Sequence, residues 1–190
     1  MALDAAEELS KKYNWLPGEY RTAVSFDGDR NLQTFVELEG GGLDTFKMLY
    51  QDGLYYPYVW KVRHFQEQNP NEMEVWFTPA GKPYSFRQKL GEDEPGAALS
   101  RDSAFAIAMA GLTDEWSINL DEYELVEESE KTQPGGRVDH SFTYQRSGFS
   151  IGENGFLRFN LKVQGDVLGE YNHYAQVPEA FKRRFSEMRS

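Results

Sequence analysis

Two well-separated stretches of this chain follow the same plan, and this repetition restricts the folds that the chain can adopt. Leu16–Ser25 and Leu120–Ser129 each come after a short helical segment and each lead towards a run of strands. Both halves then reach a strand pair that is joined at a glycine turn, around Gly81 and Gly165. If a supersecondary unit is repeated, most residues are explained by the fold, and few need a chemical role. The sequence therefore predicts two similar units packed together, each a helix followed by an antiparallel meander.

The spacing of apolar residues separates helices from strands along the chain. Helical spacing predicts helices at residues 4–13, 31–39, 43–50, 103–112 and from 178 onward. Alternation of apolar and polar residues predicts strands at 20–26, 58–66, 72–78, 84–90, 122–130, 138–146, 156–164 and 167–176. Helices followed by meandering strands are typical of an α+β fold with an antiparallel sheet.

The segment Gly91–Gly96 is the best internal linker, because it is polar and contains both turn-forming residue types. It divides the chain into a first α+β unit at residues 1–96 and a second at residues 97–190, which ends in a helix. Four large aromatic residues are predicted to lie in the core. They are Trp60, Trp76, Phe105 and Phe159.

The net charge and the residue content exclude several classes of function. The 190-residue chain has a net charge of -11 and no cysteine. Nucleic-acid binding needs clustered lysine and arginine, and thiol chemistry or a cysteine-based zinc site needs cysteine, so none of these is expected. No apolar run reaches the roughly 20 residues of a membrane helix, so direct membrane insertion by this segment is not expected either.

The three histidines are the residues most suited to catalysis or metal binding, but their positions do not point to a site. His64, His140 and His173 lie far apart, each in a predicted strand. A metal site or a nucleophile–base pair needs such groups to converge. Asp139 and His140 could meet His173 across the sheet, although nothing in the spacing requires it. We therefore expect strand or surface histidines, with no metal and no cofactor.

One segment has the composition of a binding surface. Tyr55, Tyr56 and Tyr58 lie within a run that ends at Trp60, and such rings offer a large contact area at low entropic cost. Strand alternation turns half of these rings towards the core, so core packing is the competing interpretation. The three tyrosines are the candidate binding surface of the chain.

Several stretches spread over nearly the whole chain resemble the soluble N-terminal region of bacterial CPBP-family (Abi, CAAX-protease-like) membrane proteins. They are Trp60–Phe65, Glu74–Lys82, Phe86–Leu90, Pro95–Ser100, Tyr123–Ser129, Asp139–Thr143, Val163–Asp166 and Val177–Phe181. The strand–turn–strand followed by a Ser-led helix is also similar to a PepSY-type unit, here present twice. The catalytic motif of that family is Glu-Glu-x-x-x-Arg on membrane helices, whereas Glu127–Glu128 is followed by Thr132 at the arginine position.

The resemblance implies a non-catalytic accessory domain on the extracytoplasmic face of a bacterial membrane. Such a domain would bind a peptide or regulate the membrane protease to which it is attached. Two alternatives remain open from the residues alone. One is an enzyme with a small pocket in which Asp139, His140 or His173 acts as acid and base. The other is a purely structural spacer.

Overall fold

The computed structural model describes residues 1–189; Ser190, the last residue of the second predicted unit, lies outside the described residues. The described chain forms five α-helices and eight β-strands. The helices are α1 (Ala2–Lys12), α2 (Arg30–Leu38), α3 (Gly42–Gln51), α4 (Arg101–Gly111) and α5 (Glu179–Arg189). The strands are β1 (Arg21–Gly28), β2 (Tyr58–Phe65), β3 (Glu72–Phe77), β4 (Pro83–Lys89), β5 (Tyr123–Thr132), β6 (Val138–Arg146), β7 (Phe156–Gln164) and β8 (Val167–Gln176).

All eight strands belong to one antiparallel sheet in the order β1-β2-β3-β4-β8-β7-β6-β5. The two four-stranded halves meet at a seam between β4 and β8, where only Phe86 pairs with Tyr171 and Arg87 with Glu170. Each half runs outward from this seam in reverse sequence order, so β1 and β5 form the two outer edges. The predicted α+β class with an antiparallel sheet is confirmed.

Glycine turns close the last hairpin of each half. Gly81 lies between β3 and β4, and Gly165 lies between β7 and β8. Their φ angles are +85° and +65°, in the left-handed region where a residue without a Cβ is favoured. The backbone at both turns therefore requires the glycine that the sequence supplies.

The five helices cover one face of the sheet, which we call the helix face. Opposite residues on neighbouring strands share a face, and the register places Val62, Val75, Phe86, Tyr171 and Leu161 in one row. This row lies in a first hydrophobic cluster that also contains buried residues of α1 and α4. Along each strand, the residues that alternate with those of the helix face lie on the other side of the sheet, which we call the open face.

A second hydrophobic cluster covers the end of the helix face nearest α2, α3 and α5. It joins Phe35 of α2 and Leu49 of α3 to Leu157 of β7 and Phe181 of α5. Both clusters contain residues from either side of the 91–96 segment. The two halves therefore share their hydrophobic cores as well as their sheet.

Three of the four aromatic residues predicted for the core do contribute to it. Phe159 is fully buried, and Trp60 and Phe105 are partly buried against the first cluster. Trp76 was predicted wrongly. It alternates with Val75 and therefore lies on the open face, where Lys61 Nζ and the Arg87 guanidinium lie 5.6 Å and 5.3 Å from its ring centre.

Candidate functional site

The three tyrosines of the predicted binding surface do not share one environment. Tyr55 is buried in the second cluster, and its hydroxyl donates a 2.9 Å hydrogen bond to Asp29 Oδ2. Burial, and then the nearby Asp29 carboxylate, raise the pKa of Tyr55 well above its ordinary value. Tyr55 and Tyr56 both line a cavity at the seam, whereas Tyr58 lies near the edge of the sheet and stacks on Phe26 with a centroid distance of 6.2 Å. The structure does not bring them together as one surface.

Two neighbouring cavities, of about 210 Å³ and 410 Å³, share Tyr56, Tyr84 and His173 as lining residues. The Tyr84 ring stacks on the His173 imidazole at 4.5 Å with an angle of 3° between the planes. The Tyr171 hydroxyl lies 2.6 Å from His173 Nε2. Burial lowers the pKa of His173 to about 3, so the ring is neutral near pH 7. The imidazole therefore serves as an uncharged hydrogen-bonding and stacking group.

Asp139 and His140, the other candidates for acid and base, are held in structural bonds. The Asp139 carboxylate accepts hydrogen bonds from Arg137 Nε at 2.8 Å and from Gln133 Nε2 at 2.7 Å. His140 Nε2 lies 2.8 Å from the carbonyl oxygen of Leu99, which can only accept, so this nitrogen carries the proton. Both side chains are buried; both Asp139 carboxylate oxygens accept hydrogen bonds, whereas His140 Nδ1 lies 3.8 Å from Glu130 Oε2.

His140 and His173 do not converge. His140 lies opposite Val163 and His173 lies opposite Phe159, which are four positions apart on β7. At the rise of an antiparallel strand this separation is about 13 Å along the sheet. Within residues 1–189 no group of three histidine, aspartate or glutamate side chains is arranged to hold a metal ion.

The third histidine takes part in a contact that sequence reasoning missed. His64 Nδ1 lies 2.9 Å from Ser10 Oγ, and the His64 ring stacks on Tyr20 at 4.2 Å. Burial lowers the pKa of His64. These residues line a groove of about 910 Å³ between α1 and the 14–20 loop, which extends to Thr22 at the start of β1. Ser10 and His64 lie in different elements, so no local spacing could have revealed the pair.

Strand β1 borders this groove and is the most unusual surface of the sheet, because it is an open edge without charges in its centre. All of its residues from Arg21 to Phe26 are exposed. Val24 and Phe26 are 41% and 52% exposed, although their side chains lie on the helix face. Charges occur only towards the ends, at Arg21 and Asp27. An exposed edge strand without blocking features is a template for pairing with another chain.

The hydrogen-bond register shows which backbone groups of β1 are open. Asp29 N donates to the Pro57 carbonyl at 2.8 Å, in continuation of the regular β1–β2 pairing. Hydrogen-bonded pairs alternate with non-bonded pairs in an antiparallel ladder. The N–H and C=O groups of Thr22, Val24 and Phe26 therefore point away from β2 into solvent. The same three residues carry side chains on the helix face.

The opposite edge, β5, is protected against such pairing. It carries four glutamates and a lysine within Tyr123–Thr132, and its register with β6 shifts between Leu125 and Glu127. Charged side chains and bulges are two devices by which natural edge strands avoid pairing. The contrast with β1, which is regular and has no charge in its centre, singles out β1 as the candidate binding edge. The sequence shows both strands but not the strand order, so it could not show that β1 is an edge.

Within residues 1–189 no helix is long and apolar enough to cross a membrane. Comparison with known proteins adds no relative: no family model, no curated protein and no solved structure matches this chain.

Proposed function

We propose that this chain is a non-catalytic binding module that takes up an extended peptide segment as an additional strand beside β1. One observation carries the proposal: Thr22, Val24 and Phe26 present both open backbone groups and exposed side chains at an edge without central charges. In strand addition, backbone hydrogen bonds supply affinity and alternate side chains supply specificity.

The groove beside β1 supports this proposal because it lies on the side where half of the added side chains would project. Side chains of a peptide paired with Thr22 would lie on the helix face, next to the wall formed by α1. That wall includes Leu3, which is half exposed, and Glu7, which forms an ion pair with Lys11 at 2.8 Å. The groove thus offers an apolar contact and charged groups that can select among peptides.

The resemblance described above extends the proposal to a biological setting. In that setting the chain is an accessory domain at the extracytoplasmic face of a bacterial membrane, and the peptide-binding edge regulates an attached membrane protease. The two halves then correspond to two PepSY- or cystatin-like units, at residues 1–96 and 97–190. Each half has a helix before four antiparallel strands, with α2 and α3 inserted between β1 and β2 in the first half, and this order supports the description.

Proline substitution tests the proposed edge. The probe is a library of random peptides displayed on phage and selected on the wild-type chain. Val24→Pro removes an outward N–H, and proline is tolerated on the solvent side of an edge strand, so the fold should persist. Selected peptides should bind the wild type and lose binding to Val24→Pro.

Glu130→Pro is the matched control. Gln133 N donates to the Arg137 carbonyl, and the alternation of the β5–β6 ladder from this pair turns the Glu130 N–H outward from the β5 edge. This variant should bind the selected peptides as the wild type does. Equal binding by Val24→Pro and wild type, with circular dichroism showing both folded, would refute the proposed site.

A further inference from the structure

The sequence of β1 is complementary to itself in the antiparallel direction. In N-to-C order it reads Arg21, Thr22, Ala23, Val24, Ser25, Phe26, Asp27. The strand has a cation near its start, an anion near its end, and Thr, Val and Phe on the helix face between them. A partner strand running in the opposite direction would fit best if it had an anion opposite Arg21 and a cation opposite Asp27. The strand itself meets this requirement.

We propose that the partner of the β1 edge is β1 of a second copy of this chain, paired about a two-fold axis at Val24. The proposal rests on the function proposed above in that both use the same open edge. Self-pairing then regulates peptide binding at that edge, because a chain whose β1 is paired in the dimer cannot accept a peptide. The product is one continuous antiparallel sheet across two chains.

The backbone register permits this pairing. With the axis at Val24, the outward groups of Val24 meet those of the partner copy's Val24, and Thr22 meets Phe26. These are the residues whose N–H and C=O groups are open. Three hydrogen-bonded pairs of this kind provide about six backbone hydrogen bonds. Such an interface is isologous, as is usual for two-fold dimers.

The charges select this register over its neighbours. On the open face, Arg21 of each copy lies opposite Asp27 of the other, in a non-hydrogen-bonded pair where side chains approach most closely. Arg21 contacts Glu67 within the chain at 2.7 Å, but both side chains are 67% exposed, so that ion pair contributes little. Asp27 forms no ion pair within residues 1–189. Shifting the axis to Ala23 or Ser25 would shorten the overlap and separate the opposite charges.

Charge reversal tests the inference. Sedimentation equilibrium of the full chain across the micromolar to millimolar range should show a monomer–dimer equilibrium. Arg21→Asp alone places two like-charged pairs in the interface, and so does Asp27→Arg alone. Each should weaken dimerisation by roughly tenfold (about 1.4 kcal/mol), since two attractive cross-strand pairs become repulsive.

Mixing the two single variants should restore dimerisation, because the heterodimer has an opposite charge at both pairs. Glu124→Arg on the β5 edge makes the same charge change as Asp27→Arg. It is the control and should dimerise as the wild type does. A monomeric wild type at millimolar concentration overturns the inference, and so does equal dimerisation of Asp27→Arg and wild type. Thermal melts of each variant verify that it is folded.

The outcomes of the two proposals are distinguishable. If the wild type stays monomeric but selected peptides bind it and not Val24→Pro, only the self-pairing is wrong. If the wild type dimerises through the charge-selected register but no peptide is selected at dilutions where it is monomeric, only the peptide-binding function is wrong.

Discussion

The buried contact of Asp139 gives the sharpest test of whether this residue is structural or catalytic. The Arg137 and Asp139 side chains are 3% and 2% exposed, and Nε and Nη2 of Arg137 reach the two carboxylate oxygens at 2.8 Å and 3.1 Å. Gln133 donates a further bond to Oδ2. Arg137 Nη1 also donates to the carbonyls of Gly91 and Glu94, which ties the 91–96 segment to β6.

Asp139→Asn should destabilise the fold by about 3–5 kcal/mol, the cost of removing one partner from a buried ion pair. The substitution leaves the Arg137 charge buried without an anion. It also places an amide NH₂ group opposite the donors of Arg137 and Gln133, if the remaining oxygen keeps its bond to Arg137 Nε. For a chain of this length the melting temperature should fall by roughly 10 °C.

Urea unfolding at pH 7 measures the effect, with the double variant Arg137→Met/Asp139→Asn as the control. The double variant should be more stable than Asp139→Asn alone, because it no longer buries an unpaired charge. An Asp139→Asn protein as stable as the wild type would refute this reasoning and favour a functional role for the carboxylate.

The pH dependence of the folding stability tests the same contact a second time. Burial alone would raise the pKa of Asp139, but the hydrogen bonds from Arg137 and Gln133, with the positive charges nearby, outweigh burial and lower the pKa. The contribution of Asp139 to stability is therefore complete above its unfolded pKa of about 3.9 and is lost as the pH falls through the lower folded value. Asp139→Asn should lack this part of the acid sensitivity.

Two further substitutions test the core and the seam. Phe159→Ala should lower the free energy of unfolding by about 3–5 kcal/mol because the ring is fully buried. Trp76→Ala on the open face should cost less than half as much. Equal losses would contradict the assignment of faces. His173 is neutral when folded and binds a proton when unfolded, so stability should fall by up to about 1.4 kcal/mol per pH unit below pH 6.5. His173→Phe should show a shallower decline between pH 6.5 and pH 4 in thermal melts, and an unchanged slope would count against burial of a neutral imidazole.

Local patterns sufficed for the elements of this fold. The strands predicted at 138–146, 156–164 and 167–176 coincide with β6, β7 and β8, and the other elements differ only near their ends. Such agreement is expected because apolar alternation and helical spacing are local properties of the sequence. The antiparallel α+β class then followed from the order of the elements.

The remaining features depend on which elements become neighbours, and local patterns do not contain this information. The position of β1 at an edge follows from the pairing of β4 with β8, strands separated by most of the second half of the chain. The same long-range packing brings Ser10 to His64 and leaves His140 far from His173. Neighbouring residues of a strand, such as Val75 and Trp76, lie on opposite faces, but only the packing of the helices decides which face is covered.

The short seam between β4 and β8 also has a consequence for how the chain folds. Every other strand pair in the sheet joins strands that are consecutive in sequence, and among these pairs only the β1–β2 connection contains helices, α2 and α3. The seam instead joins Arg87 to Glu170, so its formation requires the closure of a long loop. Loop-closure entropy makes such contacts slow to form compared with hairpins. We therefore expect the meanders to assemble first and the seam to close last, at the step that completes both hydrophobic clusters.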